Sequence, residues 1–199
     1  MIPDMTLTKG THTSETQMPL AYISLSGRGE TDAFLALLAQ RLQERGIAVA
    51  GTIQINTDTG CTDHCDMDVQ VLPDGPMIRI SQNLGAGSAG CRLDPGALEQ
   101  AVCEVTPRLA RAALLIVNKF GKQEAEGRGF RDLIGSALHE GKPVILGVNE
   151  TNRAAFDHFA SCEYGYRAVP GRNVGEYHSG PETYSAYLLQ LQGRSSDAA

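Results

Sequence analysis

A chain of 199 residues, 42% hydrophobic and 20% charged, has the composition of an ordinary globular protein and is long enough to fill one core. Its 23 acidic residues outnumber 17 basic ones for a formal net charge of -6, and Lys and Arg form no dense run, which argues against nucleic acid as a partner. No apolar run approaches the roughly 20 residues that span a bilayer, and the amino terminus has no basic region followed by an apolar one, so no membrane insertion and a cytoplasmic location are expected. Five cysteines, an odd count in a chain too large to need staples, read as reduced thiols.

Residues 1–17, rich in Thr, Ser and Glu without apolar period, read as a disordered tail, and 18–199 as a single domain. Leu20 to Leu25 is a short strand. The turn Ser26-Gly27-Arg28-Gly29-Glu30-Thr31-Asp32 leads into a helix with Phe34, Leu35, Leu38 and Leu42 on one face, closed by Gly46. Ile47 to Ile55 is the next strand. Alternation of Met67, Val69 and Val71, the turn Pro73-Asp74-Gly75-Pro76 and then Met77, Ile78 and Ile80 predict an inserted antiparallel β-hairpin. The stretch from Gln82 to Gly90 is too glycine-rich for an element. Asp94-Pro95 places an N-cap before a helix burying Leu98, Val102, Val105 and Leu109.

The run LLIVNKF, from Leu114, has the continuous apolar character of a buried parallel strand, and ligands collect beyond the carboxyl ends of such strands. Asn118, Lys119 and Lys122 are therefore expected at a site. A helix with Phe130, Leu133, Ile134, Ala137 and Leu138 ends at Gly141, and Val144 to Val148 is another buried strand. Asn149 to Asn152 caps a short helix ending near Ala160. A weak strand at 166–169, a glycine-rich loop at 171–180 and a last helix at 181–191 complete the chain. Strands alternating with helices predict an α/β fold of three layers around a mainly parallel sheet.

The turn from Ser24 to Thr31 lies in register with the phosphate-binding loop G-x-x-x-x-G-K-[ST], with Ser24 at the first glycine and Glu30 at the lysine. With the Asp74-Gly75 hairpin, Gly90-Cys91-Arg92-Leu93-Asp94 and LLIVNKFGKQEA, it resembles the nucleoside-triphosphatase family of the thermophilic P-loop NTPases and the cancer-related nucleoside triphosphatase. That resemblance covers roughly residues 20–150 and implies a P-loop NTPase type of fold. Still more similar is a bacterial domain family of unknown function that shares the phrases ISQNLGAGS, CRLDPGALE and NKFGKQEAEGRG. Its association with molybdate transport points towards molybdenum handling.

In the triphosphatases the corresponding strand ends in an acidic pair followed by Ile-Gly-Lys. Here Asn118-Lys119-Phe120-Gly121-Lys122 stands in its place. A P-loop cradles phosphate with backbone N–H groups while its lysine neutralises the outer phosphates. Glu30 reverses that charge, and two unit charges about 4 Å apart interact by roughly 4 kcal/mol at an effective dielectric near 20. Thr31 survives as a metal-side hydroxyl while the strand acid does not.

The expected ligand is thus a small anion such as molybdate, tungstate, phosphate or sulfate, or a phosphorylated compound. Its candidate contacts are Ser26, Gly27, Arg28, Gly29, Thr31, Gln82, Asn83, Gly85, Gly87, Ser88, Asn118, Lys119 and Lys122, with Arg128 nearby. No catalytic residue is nominated and no cofactor is expected. The alternatives are a nucleoside triphosphatase or phosphotransferase with a lysine supplied from elsewhere, and an adaptor that binds a partner protein or forms a homo-oligomer.

Cys61, His64 and Cys65, with Cys91 if the hairpin folds back, could bind a metal, but the usual second ligand pair is missing and ordinary thiols are the default. Cys103 reads as a packing residue, Cys162 follows a helix end, His139 and His158 read as surface or satisfied core residues of helices, and His178, beside Glu176 and Tyr177 in a glycine-rich loop, has no visible partner. Glu124 and Glu126 read as the solvated start of a helix, where negative charge suits the dipole.

Overall fold

The computed structural model describes residues 20–57, 66–82 and 92–164. The expected tail at 1–17 and the expected elements beyond residue 165 lie outside them. Eleven elements follow in order: β1 (Leu20–Ile23), α1 (Glu30–Glu44), β2 (Val49–Thr57), β3 (Asp66–Leu72), β4 (Met77–Arg79), α2 (Pro95–Leu109), β5 (Leu114–Phe120), α3 (Lys122–Ala125), α4 (Arg131–His139), β6 (Val144–Val148) and α5 (Glu150–Tyr164). The last helix runs past Ala160, where the sequence pattern had it stop.

The six strands form one sheet in the order β1-β6-β5-β2-β3-β4. β1, β6, β5 and β2 are parallel, and the hairpin of β3 and β4 adds to β2 antiparallel. The hairpin is therefore a continuation of the main sheet, not a separate flap. Its apolar alternation puts Val69, Val71 and Ile78 into the core.

Local chemistry sets the helix ends. Gly29, at φ +76°, lets the chain turn left-handed into α1, and Gly46, at φ +72°, releases it. Asp94 caps α2 by accepting from the backbone N–H groups of Gly96 at 2.9 Å and Ala97 at 3.2 Å, and Pro95 fills the first turn.

Among the described residues α1 covers one sheet face, packing Leu35, Leu38 and Leu42 on Ile23, Val49, Leu114, Ile116 and Ile145. α2, α4 and α5 cover the other, over Tyr22, Leu115, Val117, Phe120 and Leu146. β5 is buried on both faces, which explains its uninterrupted apolar run; each fully buried aliphatic side chain contributes roughly 1.5–3 kcal/mol. Phe120 packs at 5.4 Å on Phe156 and 5.2 Å on Phe159, and Tyr22 meets Phe156 edge-on at 5.4 Å.

Ala101 is fully buried on α2 while Val102 is only partly covered, a one-position rotation from the expected stripe. Cys103 is exposed, so the packing role expected of it is wrong: the helix turns it towards solvent. No described helix is long and apolar enough to cross a membrane.

Candidate functional site

The loop after β1 and the carboxyl ends of β5 and β6 meet at one edge of the sheet. They enclose an open cleft of about 120 Å³ lined by Leu25, Gly27, Gly29, Thr31, Asp32, Asn118, Lys119, Gly147, Val148 and Asn149. Clefts that bury a drug-sized ligand run to roughly 300–1,000 Å³, so this one suits a small group.

The sheet is irregular at this point. Val117 pairs with Leu146 and Phe120 with Val148, so β5 takes three steps where β6 takes two. The extra residue disturbs the ladder where Asn118 and Lys119 reach the cleft. Gly147 is what permits it: a Cβ there would lie 2.3 Å from the Asn118 carbonyl oxygen and 2.9 Å from Thr31 Cγ2. An isolated glycine within VILGV was the sequence signal for that close approach.

Asn118 is buried at 5% exposure with its amide committed. Its Oδ1 accepts from Gln54 N–H at 2.8 Å, and its Nδ2 donates to Asp32 Oδ1 at 3.0 Å and to Gln54 Oε1 at 3.3 Å. The residue at the strand end therefore anchors a carboxylate carried by the first turn of α1. Asp32 and Gln54 were missed as site residues, since only the fold places them beside Asn118.

Thr31 Oγ1 accepts from Leu25 N–H at 3.1 Å, and the Glu30 carboxylate folds back to accept from Gly27 N–H at 3.0 Å. It lies so close over the loop that a Cβ on Gly27 would come within 2.1 Å of Glu30 Cδ. The side chain in the lysine's sequence position thus places an oxyanion of the protein's own on the glycine loop. Among the described residues, the N–H groups of Gly29 and Thr31 have no hydrogen-bond partner and Lys119 has no ion pair.

Other candidates fall elsewhere. Ser26 and Arg28 are exposed on the loop but do not line the cleft. Lys122 opens α3, exposed and 3.7 Å from Glu126, and Arg128 holds Gln123 Oε1 at 2.7 Å and pairs with Glu126. Gln82 donates through Nε2 to the Leu93 carbonyl at 3.1 Å, beside the bridge between Ser81 and Leu93. Asn83, Gly85, Gly87, Ser88, Cys61, His64, Cys65, Cys91 and His178 lie outside the described residues. Among those described, no cluster of three or more metal-ligating side chains exists. Cys162 Sγ lies 3.5 Å from His158 Nδ1 on the solvent-facing side of α5.

Glu124 reverses its expected role. It is 3% exposed, not a solvated helix start, and accepts from Gly121 N–H at 2.9 Å and Phe130 N–H at 3.1 Å. The chain from Gly121 to Phe130 wraps around this carboxylate. Gly129, at φ +58°, donates to Glu99 at 2.8 Å, and Arg131 bonds the Glu124 carbonyl at 2.9 Å. Burial pushes the Glu124 carboxyl above the usual range and the nearby Glu99 charge adds to this, against the pull of the two amide donors. Glu126 stays exposed, as expected.

Among solved structures, the fold is similar to that of THEP1 from the hyperthermophile Aquifex aeolicus, with a TM-score of 0.50 at 14% identity over 71% of this chain and 83% of that one. A human cancer-related nucleoside triphosphatase aligns at a TM-score of 0.47 and 16% identity, covering 90% of this chain and 98% of that one. The architecture is the α/β, mainly parallel-sheet type of the P-loop NTPases, as the sequence led one to expect. A curated relative, molybdenum import ATP-binding protein ModC 2 of Bradyrhizobium diazoefficiens, is 36% identical over 132 residues. The alignment takes in 66% of this chain but only 15% of that much longer protein. The family model described as "Protein of unknown function (DUF2478)" matches residues 20–165, and the chain belongs to that family.

Proposed function

We propose that this chain is a non-hydrolytic binding protein whose cleft takes a small oxyanion or a phosphorylated ligand. The observation that carries the reading is the set of unmet donors at one place: the N–H groups of Gly29 and Thr31, partnerless among the described residues, and the Lys119 ammonium without an ion pair. Glu30 supports it, because its carboxylate already rests on a neighbouring loop amide. The strand end offers an amide whose oxygen is taken by Gln54, a poor ligand for the magnesium ion that triphosphate hydrolysis requires. The relative named for molybdenum import supports molybdate or tungstate handling as the setting.

Calorimetric titration with molybdate, tungstate, phosphate, ATP and GTP, each with and without Mg²⁺, tests this. At least one small anion or phosphorylated compound is expected to bind tighter than about 100 μM, near 5.5 kcal/mol. Absence of such binding overturns the proposal. Mg²⁺-dependent release of phosphate from a nucleotide would favour the second reading, a triphosphatase that uses Lys119 in place of the loop lysine; that cation's position in the cleft is the observation behind it.

A further inference from the structure

Helix α5 carries two metal-ligating side chains that the cleft does not use. His158 and Cys162 stand four residues apart, one turn along the helix, and both are exposed. Cys162 Sγ lies 3.5 Å from His158 Nδ1. In a tetrahedral zinc site, with Zn–S about 2.3 Å and Zn–N about 2.0–2.1 Å, sulfur and nitrogen are held roughly 3.5 Å apart. The pair therefore already has the ligand-to-ligand spacing of such a site.

The ligand set is half complete. Closed zinc sites take four protein ligands, and among the described residues no third candidate joins the pair. Asp157, the adjoining acid on the helix, is engaged by Arg153 Nε at 3.0 and 3.1 Å. What the surroundings do offer is room. From Thr151 to Cys162 the exposed residues of α5 are Thr151, Ala154, His158, Ser161 and Cys162. The solvent side of an ordinary surface helix carries charged residues, whereas none of these is Asp, Glu, Lys or Arg, and only His158 is larger than threonine. Packed helices approach to about 8–10 Å, and a face this small and neutral lets an identical α5 come that close. A two-fold axis then brings each pair against its own copy.

We propose that His158 and Cys162 are one half of a site for zinc or a similar borderline-soft divalent cation, completed as Cys₂His₂ by the same pair from a second copy of this chain. Thiolate and imidazole are donors that such cations favour, and each thiol gives up its proton as it ligates. The site is separate from the anion cleft, which no residue of α5 lines.

The test uses the full chain at neutral pH with a non-thiol reductant, which keeps disulfide dimers from forming. Sedimentation velocity compares excess chelator with half an equivalent of zinc, and the absorption spectrum is recorded with cobalt(II) in its place. Zinc is expected to double the sedimenting mass at one metal per two chains. Cobalt is expected to give the visible bands of a tetrahedral ion together with a sulfur-to-metal charge-transfer band in the near ultraviolet. Cys162→Ser and His158→Ala should each abolish the dimer, while Cys103→Ser, which removes the exposed thiol of α2, should leave it intact. Both ligand positions face solvent, so the variants should keep the circular dichroism of the wild type, and either one that folds is enough to decide. A chain that stays monomeric with zinc overturns the proposal. So does a dimer, or a cobalt–thiolate spectrum, that persists undiminished in Cys162→Ser, since the metal would then be held by other cysteines.

Discussion

Replacing Glu124 with Ala should cost more stability than any exposed substitution in the same segment. The carboxylate is 3% exposed and answers two backbone donors, Gly121 N–H and Phe130 N–H. Truncation orphans both, at about 1–3 kcal/mol each, and leaves a void between Leu98 and Gly129, while relief of a desolvated carboxyl offsets part of the loss. A net destabilisation of about 2–4 kcal/mol follows, which in a chain of this size lowers Tm by roughly 5–15 °C.

The loss should depend on pH in a defined direction. Because the folded-state pKa is raised above the 4.5 of the exposed group, the folded state holds the Glu124 proton more tightly than the unfolded one. The stability that Glu124 contributes is then complete below about pH 4.5 and declines as pH rises through the folded pKa. Thermal unfolding by circular dichroism at pH 5 and pH 8 should show a wider gap between wild type and Glu124→Ala at the lower pH. A variant within 0.5 °C of wild type, or a gap that widens towards pH 8, would refute the assignment of this carboxyl as the hub of the segment.

Glu30→Gln removes a partly screened negative charge from the glycine loop and should tighten binding of whichever anion the titrations identify by about two- to fivefold, read by calorimetry. Lys119→Ala should weaken the same anion by about tenfold or more while leaving Tm within 2 °C, since this lysine is exposed and makes no ion pair among the described residues. Gly147→Ala drives a methyl group into the Asn118 carbonyl and should cost about 1–3 kcal/mol, with amide shifts at Asn118 and Thr31 in heteronuclear NMR spectra; an unperturbed Asn118 resonance would count against the bulge.

The parts of the fold governed by local signals were legible from residues alone. The apolar runs at Leu114 and Val144, the cap at Asp94, the glycines at 46 and 141 and the hairpin turn each declare an element through one physical rule. The site was legible only at its loop and strand end. Asp32 looks like one more acid in a first helical turn, and nothing in the spacing reveals that Asn118, 86 residues away, holds it in the cleft. Lys122 fails for the opposite reason: three residues beyond Lys119, it begins a new helix and leaves the sheet edge. Glu124 was misread because charge patterning assumes solvent around a helix start, whereas here Gly129, where a Cβ would lie 2.4 Å from Glu124 Oε1, lets the backbone close over the side chain.

The strand lengths limit how another chain could attach. Among the described residues the sheet ends in its two shortest strands, four residues in β1 and three in β4, and Arg79 on β4 ties back to buried Asp68 on β3 at 3.0 Å. Edges this brief present few free ladder groups, so they are poor templates for the strand-by-strand accretion that leads to aggregates or swapped dimers. A protein that joins this one has more to grip on a helix face or at the cleft mouth than along the rim of the sheet.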